Sequence, residues 1–244
     1  MQKKQTEQTK QTKQTKPSRR AAVCPAKGSL RARCLALGLF CLGAAAVWTL
    51  LVLTVDVDAI GPLGSSVGFA ALNGAVHRCL GVSMPLYVAT DLVSLVAILP
   101  IAGFAALGLS QWIRRRSLLR VDLDLLALGG LYLALFGVYA VFETFPVNFR
   151  PVLIDGALEA SYPSSTTLLA VGVMATAGMQ CRRRMRGAWR LAALIFTYAV
   201  LAFLTVGRVL SGVHWITDII GGGLFGAGLV ALYGSFAFGK RPTP

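Results

Sequence analysis

The sequence predicts an all-α integral membrane protein: a six-helix bundle with a short interfacial helix or loop between spans one and two. Three observations support this fold class. The 244-residue chain is 55% hydrophobic and only 14% charged, which is too apolar for an ordinary soluble domain. It contains six apolar runs, and a helix needs roughly 20 residues to cross the hydrocarbon of a bilayer. Its net charge is +14, and hydrophobic chains this basic commonly carry Lys and Arg in short loops on one side of a membrane.

Residues 1–34 are expected to form a basic, disordered cytoplasmic tail. A repeat of Gln, Thr and Lys at 8–16 is too polar to bury a core. Ten of the 24 Lys and Arg residues lie in this tail, so anionic lipid headgroups are its expected partner. We expect no cleaved signal segment, because the apolar run that follows is long enough to span the membrane.

Residues 35–238 are the predicted six-span domain, and residues 239–244 are a short cytoplasmic C-terminus. Residues 61–81 are only semi-apolar and are interrupted by Gly, Ser, Asn and His, which favours an interfacial segment. The fourth and fifth runs are slightly short, as expected of helices that begin inside a cavity. The six apolar runs are 35–55, 86–109, 125–142, 164–179, 191–206 and 216–238.

The basic residues give the orientation. With the N-terminus in the cytoplasm, 21 of the 24 Lys and Arg residues lie on the cytoplasmic side, and only Arg78, Arg150 and Arg208 face outward. We therefore expect a multi-pass plasma-membrane protein with both termini in the cytoplasm. Asp91, near the start of the second run, could line a cavity or reach the headgroups, and the sequence leaves both open.

Composition also excludes two classes of site. No basic stripe lies on a soluble domain, so we expect no nucleic-acid partner. The cysteines are scattered without a CxxC pair and the chain has two histidines, so we expect neither a metal site nor a disulfide framework. The cysteines are Cys24, Cys34, Cys41, Cys79 and Cys181.

Three polar side chains stand out in the apolar stretch at 206–223. Arg208, His214 and Asp218 are spaced six and four apart. An Arg grips a phosphate through a fork of donors, and a His can act as nucleophile or base. On a helix, an Asp four residues after a His lies on the same face and can hold the ring in one tautomer. The spacing indicates the reacting half of a phosphate site, although a helix end whose polar residues merely reach water would also fit.

The loop before the fourth run supplies the other half of the predicted site. Pro163 is followed by small hydroxyl residues, which are typical of a helix start. The unpaired N–H groups of a helix N-terminus bind phosphate readily, although Ser164 alone could be no more than a cap. The anion-site interpretation is the better one, because two arginines are predicted on the same side of the membrane. The expected phosphate-binding residues are Arg150, Ser164, Ser165, Thr166 and Arg208.

These motifs, in this order, resemble the type 2 phosphatidic acid phosphatase family: Arg-Pro, then Pro-Ser-Ser, then Arg-x5-His-x3-Asp. Its members are six-helix membrane enzymes related in their core to bacterial acid phosphatases and vanadium haloperoxidases. The resemblance covers about residues 35–238, and RVLSGVHWITD at 208–218 is its most specific block. It implies a phosphatase without metal or cofactor that acts through a phosphohistidine. His214 would be the nucleophile and Asp218 its orienting partner, while Arg150, Ser164 and Arg208 would bind phosphate.

The chain departs from the family pattern at three positions. Glu143 replaces the first Lys, Gly207 replaces a Ser, and Thr166 replaces the His that protonates the leaving oxygen. Thr cannot act as a general acid near neutral pH, and a positioned acid is worth about 100- to 10,000-fold. A pyrophosphate leaving group would need less protonation, or another acid could substitute. The candidate acids are Glu143, Asp155, Glu159 and His77.

The expected function is hydrolysis of a lipid phosphate or diphosphate on the extracytoplasmic face. Polyprenyl diphosphate, phosphatidate and phosphatidylglycerol phosphate remain open as substrates, and the oligomeric state is open. The alternative is a catalytically weak member that binds or transports phosphorylated lipids, since the acid His and first Lys are replaced. A channel or transporter without a phosphate site is disfavoured, because the sequence has no internal repeat.

Overall fold

The computed structural model describes residues 27–237, and within them the chain is helical with only isolated β-bridges in its loops. Short 3-10 or π turns join some neighbouring helices into longer rods. The helices are α1 (Lys27–Thr54), α2 (Ala70–Leu80), α3 (Met84–Ser94), α4 (Ile98–Arg115), α5 (Leu123–Thr144), α6 (Ser165–Leu169), α7 (Ala175–Arg184), α8 (Gly187–Ser211) and α9 (Ile216–Ala237).

Five helical segments within residues 27–237 are long and apolar enough to cross a membrane, rather than the six predicted. They are Leu30–Thr54, Met84–Arg115, Leu123–Thr144, Gly187–Ser211 and Ile216–Ala237. The predicted fourth span corresponds to α6 and α7, which are joined through a π turn at Ala170–Met174. Most residues of this rod from 166 to 180 are buried between the other helices, so it is an inner helix rather than a lipid-facing one, and it ends in three arginines.

The N-terminal boundary also differs from the expectation. Helix α1 begins at Lys27, within the stretch assigned to the tail, rather than at the apolar run from residue 35. Residues 1–26 of the predicted tail and the predicted C-terminus lie outside the described residues. The predicted interfacial segment contains α2, which connects the first two spans as a short helix.

Helix α9 is the centre of the bundle. It packs most extensively against α1 and also contacts α5 and α6. Its glycines allow this approach: a Cβ at Gly228 would lie 2.8 Å from Leu42 of α1, and one at Gly226 would lie 2.8 Å from Val171. The small residues of the last helix therefore serve close packing.

One end of the bundle gathers three connections. The Gly68 N–H donates to Asn148, the Asn73 side chain donates to Thr217, and the Ser83 N–H donates to the Ser211 carbonyl. These bonds join the loops between α1 and α3, α5 and α6, and α8 and α9. Backbone and side-chain hydrogen bonds thus hold these connections together at the end of the bundle where the predicted site residues lie.

A buried ion cluster closes the opposite end. Asp122 and Asp124 at the start of α5 face arginines from α4 and α7. Arg184 donates to Asp124 at 2.8 Å and to Gln180 at 2.7 Å, and Gln180 also donates to Tyr233 of α9. The cluster links four helices where the apolar core ends.

Replacing Asp124 with Ala should destabilise the protein, because it removes one of two buried carboxylates that balance the arginines. Breaking a buried ion pair costs about 3–5 kcal/mol, and we expect about 2–3 kcal/mol here since the arginines are partly exposed. Unfolding in detergent measures it. Asp155→Asn, in an exposed turn beyond the other end of α5, is the matched control. Equal stability of both variants would refute a stabilising role of the ion cluster.

Candidate active site

The Asp218 carboxylate is the fixed point of the site. Asp218 lies in the first turn of α9 and is fully buried. One carboxylate oxygen accepts the Trp215 N–H at 3.0 Å, and the other accepts the Asn148 side-chain amide at 3.2 Å. An acid in this position caps the helix start and is favoured by the helix dipole. The Asp218 carboxylate is therefore held in a fixed position at the N-terminus of α9.

His214 lies beside that carboxylate, in the connection between α8 and α9. Its Nδ1 is 3.8 Å from the nearest Asp218 oxygen, which is beyond hydrogen-bonding distance. Its Nε2 is 3.1 Å from a terminal nitrogen of Arg150. Because an arginine can only donate, Nε2 accepts, and the ring proton lies on Nδ1 facing Asp218. This tautomer leaves a lone pair on Nε2, as a nucleophile requires.

Burial keeps the His214 ring neutral. Desolvation lowers its pKa to about 4, and the positive charges of Arg150 and Arg208 act in the same direction, while Asp218 opposes them. The ring is therefore uncharged at neutral pH, and Nε2 carries a lone pair without a separate base.

Arg150 and Arg208 approach the same ring from different elements. Arg150 lies in the loop between α5 and α6, forms an ion pair with Glu159 at 3.0 Å, and has its guanidinium carbon 5.6 Å from the centre of the Tyr87 ring. Arg208 in α8 forms an ion pair with Asp91 at 2.8 Å, and its guanidinium carbon is 4.7 Å from the centre of the same Tyr87 ring. The structure therefore brings together the two arginines that were predicted to share a side of the membrane.

Two donors of Arg208 have no hydrogen-bond partner although the residue is 1% exposed. Leaving a buried charged donor unpaired is costly, so such groups mark places where an anion is bound. The basic residues already present at the site can therefore hold a phosphate.

The hydroxyl residues divide into different roles. Ser164 is the N-cap of α6, as predicted, and its oxygen accepts the Thr167 N–H at 3.4 Å. Ser165 lines the cavity that contains His214, whereas Thr166 faces a neighbouring apolar cavity. Of the hydroxyl side chains expected in the phosphate cradle, Ser165 is the one that the structure places in the cavity with His214.

Two of the four candidate acids line the His214 cavity. Glu143, at the end of α5, and Glu159 both contribute to its wall. Asp155 instead lies in an exposed turn closed by the bridge between Ile154 and Ala157. His77 packs against the Trp215 ring, with centroids 5.4 Å apart.

Two adjoining cavities meet at the site. The polar one has a volume of about 270 Å³ and holds Arg150 and His214. The apolar one has a volume of about 450 Å³ and lies between α4, α5 and α6, with Asp91 near its rim. Ser165 and Tyr139 line both, so the cavities share a wall.

Several contributors were missed or misjudged from the sequence. Asn148 holds Asp218, and nothing in a lone loop Asn signals this. Tyr87 contacts both arginines from α3 and was not predicted, whereas Asp91, for which the sequence left a cavity or the headgroups open, lines the apolar cavity and pairs with Arg208. Trp215 and Tyr162 lie near the ends of apolar runs, where aromatic residues are typical of the membrane interface, but they are 3% and 1% exposed and belong to the interior.

Two comparisons with known proteins found a match. Residues 134–241 match the model of the PAP2 superfamily, which confirms the resemblance carried by the motifs. This range holds every predicted site residue except His77.

A solved structure is similar in fold. It is described as the first transmembrane PAP2 type phosphatidylglycerolphosphate phosphatase from Bacillus subtilis, with 17% identity and a TM-score of 0.53. The match covers 82% of this chain and 92% of that chain. No curated protein is significantly similar to this chain in sequence.

The lowered pKa of His214 predicts an acid-tolerant nucleophile. A folded-state pKa of about 4 means that Nε2 keeps its lone pair until the pH falls toward 4, whereas an ordinary His loses it below about 6.5. We expect kcat/KM for phosphate release, corrected for ionisation of the substrate, to decline only near pH 4. His77→Gln leaves His214 as the only histidine and should keep this profile. A decline centred near pH 6.5 would contradict the assignment.

Proposed function

We propose that this chain is an integral membrane phosphatase that hydrolyses a lipid phosphate or diphosphate through a phosphohistidine on His214. The observation that carries the proposal is the pair of adjoining cavities. The polar cavity contains the nucleophilic nitrogen and Arg150, and the apolar cavity beside it is large enough for part of a hydrocarbon chain. A lipid phosphate likewise has a polar phosphate group joined to an apolar hydrocarbon chain.

Each residue has a defined role in the proposed reaction. The phosphate is held by Arg150 and Arg208, whose charges favour the dianion and its transition state. Nε2 of His214 forms a bond to phosphorus while the bond to the leaving oxygen breaks, and that oxygen takes up a proton. Asp218 stabilises the ring as it becomes positively charged. Water then attacks the phosphohistidine, which releases phosphate and restores the neutral ring.

A departing alcohol needs a proton donor, and Thr166 cannot supply it. Glu143 and Glu159 line the cavity and take this role in the proposal. Glu159 already forms an ion pair with Arg150. Phosphate binding at Arg150 would compete with this ion pair, and a displaced Glu159 would then be free to take up and deliver a proton.

The proposed site faces outward. In the proposed topology α6 and α7 cross as a sixth, inner helix, so both termini lie in the cytoplasm. The arginines of α4 and α7 then lie together at the end opposite His214, which agrees with the positive-inside rule. The plasma membrane is the proposed location.

The second candidate function is lipid-phosphate binding without turnover. It is favoured by the lack of a basic first-motif residue at Glu143 and by the two carboxylates that pair with the arginines. Such a protein would bind the same lipids and leave them intact.

The decisive test is phosphate release by purified protein from phosphatidate, phosphatidylglycerol phosphate and a polyprenyl diphosphate. We expect release by the wild type and a loss of at least about 1,000-fold in His214→Ala, because the covalent route disappears. Asp155→Asn is the control for handling and folding. Binding without release in wild type would establish the second candidate instead.

The same assay tests sidedness. A short-chain, membrane-impermeant lipid phosphate should be hydrolysed by right-side-out membrane vesicles and spared by intact inside-out ones. Hydrolysis only by inside-out vesicles would reverse the proposed orientation.

The leaving group identifies the proton donor. Glu159→Gln and Glu143→Gln should lower the release from alcohol-derived phosphates, by about 100-fold or more for whichever residue is the acid. A phosphate ester of an acidic phenol needs little protonation and should lose far less. Asp155→Asn and His77→Gln should retain activity on both substrates. Equal losses on both substrates would show that the Glu only positions Arg150.

A further inference from the structure

Helix α3 lies outside the residues that match the family model, yet it reaches the centre of the site. Tyr87 and Asp91 are one helical turn apart on α3 and therefore share a face. That face meets Arg150 and Arg208, which come from the matched part of the chain.

The contacts join both arginines through one ring. The guanidinium carbons of Arg208 and Arg150 lie 4.7 Å and 5.6 Å from the centre of Tyr87. Both distances are within the range at which an aromatic ring attracts a cation. The two guanidinium groups repel each other, and the Tyr87 ring attracts both of them at a position close to His214.

Asp91 fixes the second arginine from the side. Its carboxylate accepts a bond of 2.8 Å from one terminal nitrogen of Arg208, and the remaining two donors are left unpaired. The Arg208 side chain is 2% exposed and that of Asp91 is 61% exposed. An acidic residue within a membrane-spanning segment is costly unless it is paired, and the ion pair with Arg208 offsets this cost for Asp91.

Gly207 explains how α3 comes so close. A Cβ at this position would lie 2.5 Å from the Thr90 methyl group, which is on α3 between the two site-facing residues. Thr90 is completely buried in this contact. The Ser83 N–H also bonds the end of α8, which anchors the start of α3. The Gly that departs from the family pattern is therefore the residue that admits α3.

We propose that Tyr87 and Asp91 are positioning residues that hold Arg150 and Arg208 as a single phosphate receptor, and that Gly207 makes this arrangement possible. The proposal rests on the proposed function only for the identity of the ligand, a phosphate group. It predicts an effect on anion affinity whether or not the protein turns lipids over.

The experiment measures binding of inorganic phosphate to purified protein by phosphorus NMR line broadening, together with KM and kcat for lipid phosphate. Arg208→Ala first locates the site and should abolish the broadening. Tyr87→Leu should weaken phosphate binding about tenfold, and Tyr87→Phe, which keeps the ring, should restore most of it. In both assays the change should appear mainly in Kd and KM, because the arginines hold phosphate before and during reaction.

Asp91 gives the sharper contrast. Asp91→Ala should weaken phosphate binding about tenfold, while Asp91→Asn, which keeps an oxygen for Arg208, should recover much of it. Tighter phosphate binding in both variants would show that Asp91 only repels anions, and would overturn the proposal.

Gly207→Ser tests the approach of α3. It should weaken phosphate binding, whereas Gly103→Ala in α4, where a Cβ meets no atom within 4 Å, should not. Variants that lower thermal stability with unchanged phosphate affinity would reduce α3 to a structural support and refute the proposal. Absence of lipid hydrolysis in wild type, with these affinity changes intact, would refute only the proposed function.

Discussion

The arrangement of the site depends on one buried carboxylate. Asp218 accepts hydrogen bonds from Trp215 and Asn148 with its side chain, and its backbone carbonyl accepts the Ser164 N–H at 3.0 Å. A buried carboxylate is tolerated only when such donors surround it. The same bonds therefore stabilise the charge, start α9, and tie two loops together. These bonds also fix the position of His214, because it immediately precedes Trp215, whose backbone N–H donates to Asp218.

Opposing charges then set how strongly the site holds an anion. Arg150 and Arg208 are each paired with a carboxylate, from Glu159 and Asp91. An ion pair with one exposed partner is weaker than a fully buried one, so a phosphate dianion can compete for the arginine. The Arg208 donors that remain unpaired add a further gain on binding. The carboxylates hold the arginines in place before an anion arrives, and in our proposal this positioning outweighs the repulsion between the carboxylates and the anion.

The sequence predicted the parts of this structure that depend on local patterns. Five of the six apolar runs correspond to helices long and apolar enough to span a membrane, and the cap at Ser164 followed from its hydroxyl and the apolar residues behind it. The convergence of Arg150 with His214 followed from topology and motif together. The sequence did not predict the contacts between distant helices. Asp91 and Arg208 are 117 residues apart, and helix periodicity does not say which helices face each other. The buried state of Trp215 was missed because interface aromatics have the same composition signal.

Substitutions that seemed to weaken the family pattern have different physical meanings once the helices are in place. Gly207 removes the side chain that would collide with Thr90, and so belongs to a close α3–α8 contact. Thr166 faces the apolar cavity, where a charged His would be costly to bury. Glu143 lines the polar cavity together with Glu159, so two carboxyl groups lie in the cavity that contains His214 and Arg150. Compared residue by residue, the motif has three losses, whereas in the folded chain each substituted position has its own packing or cavity environment.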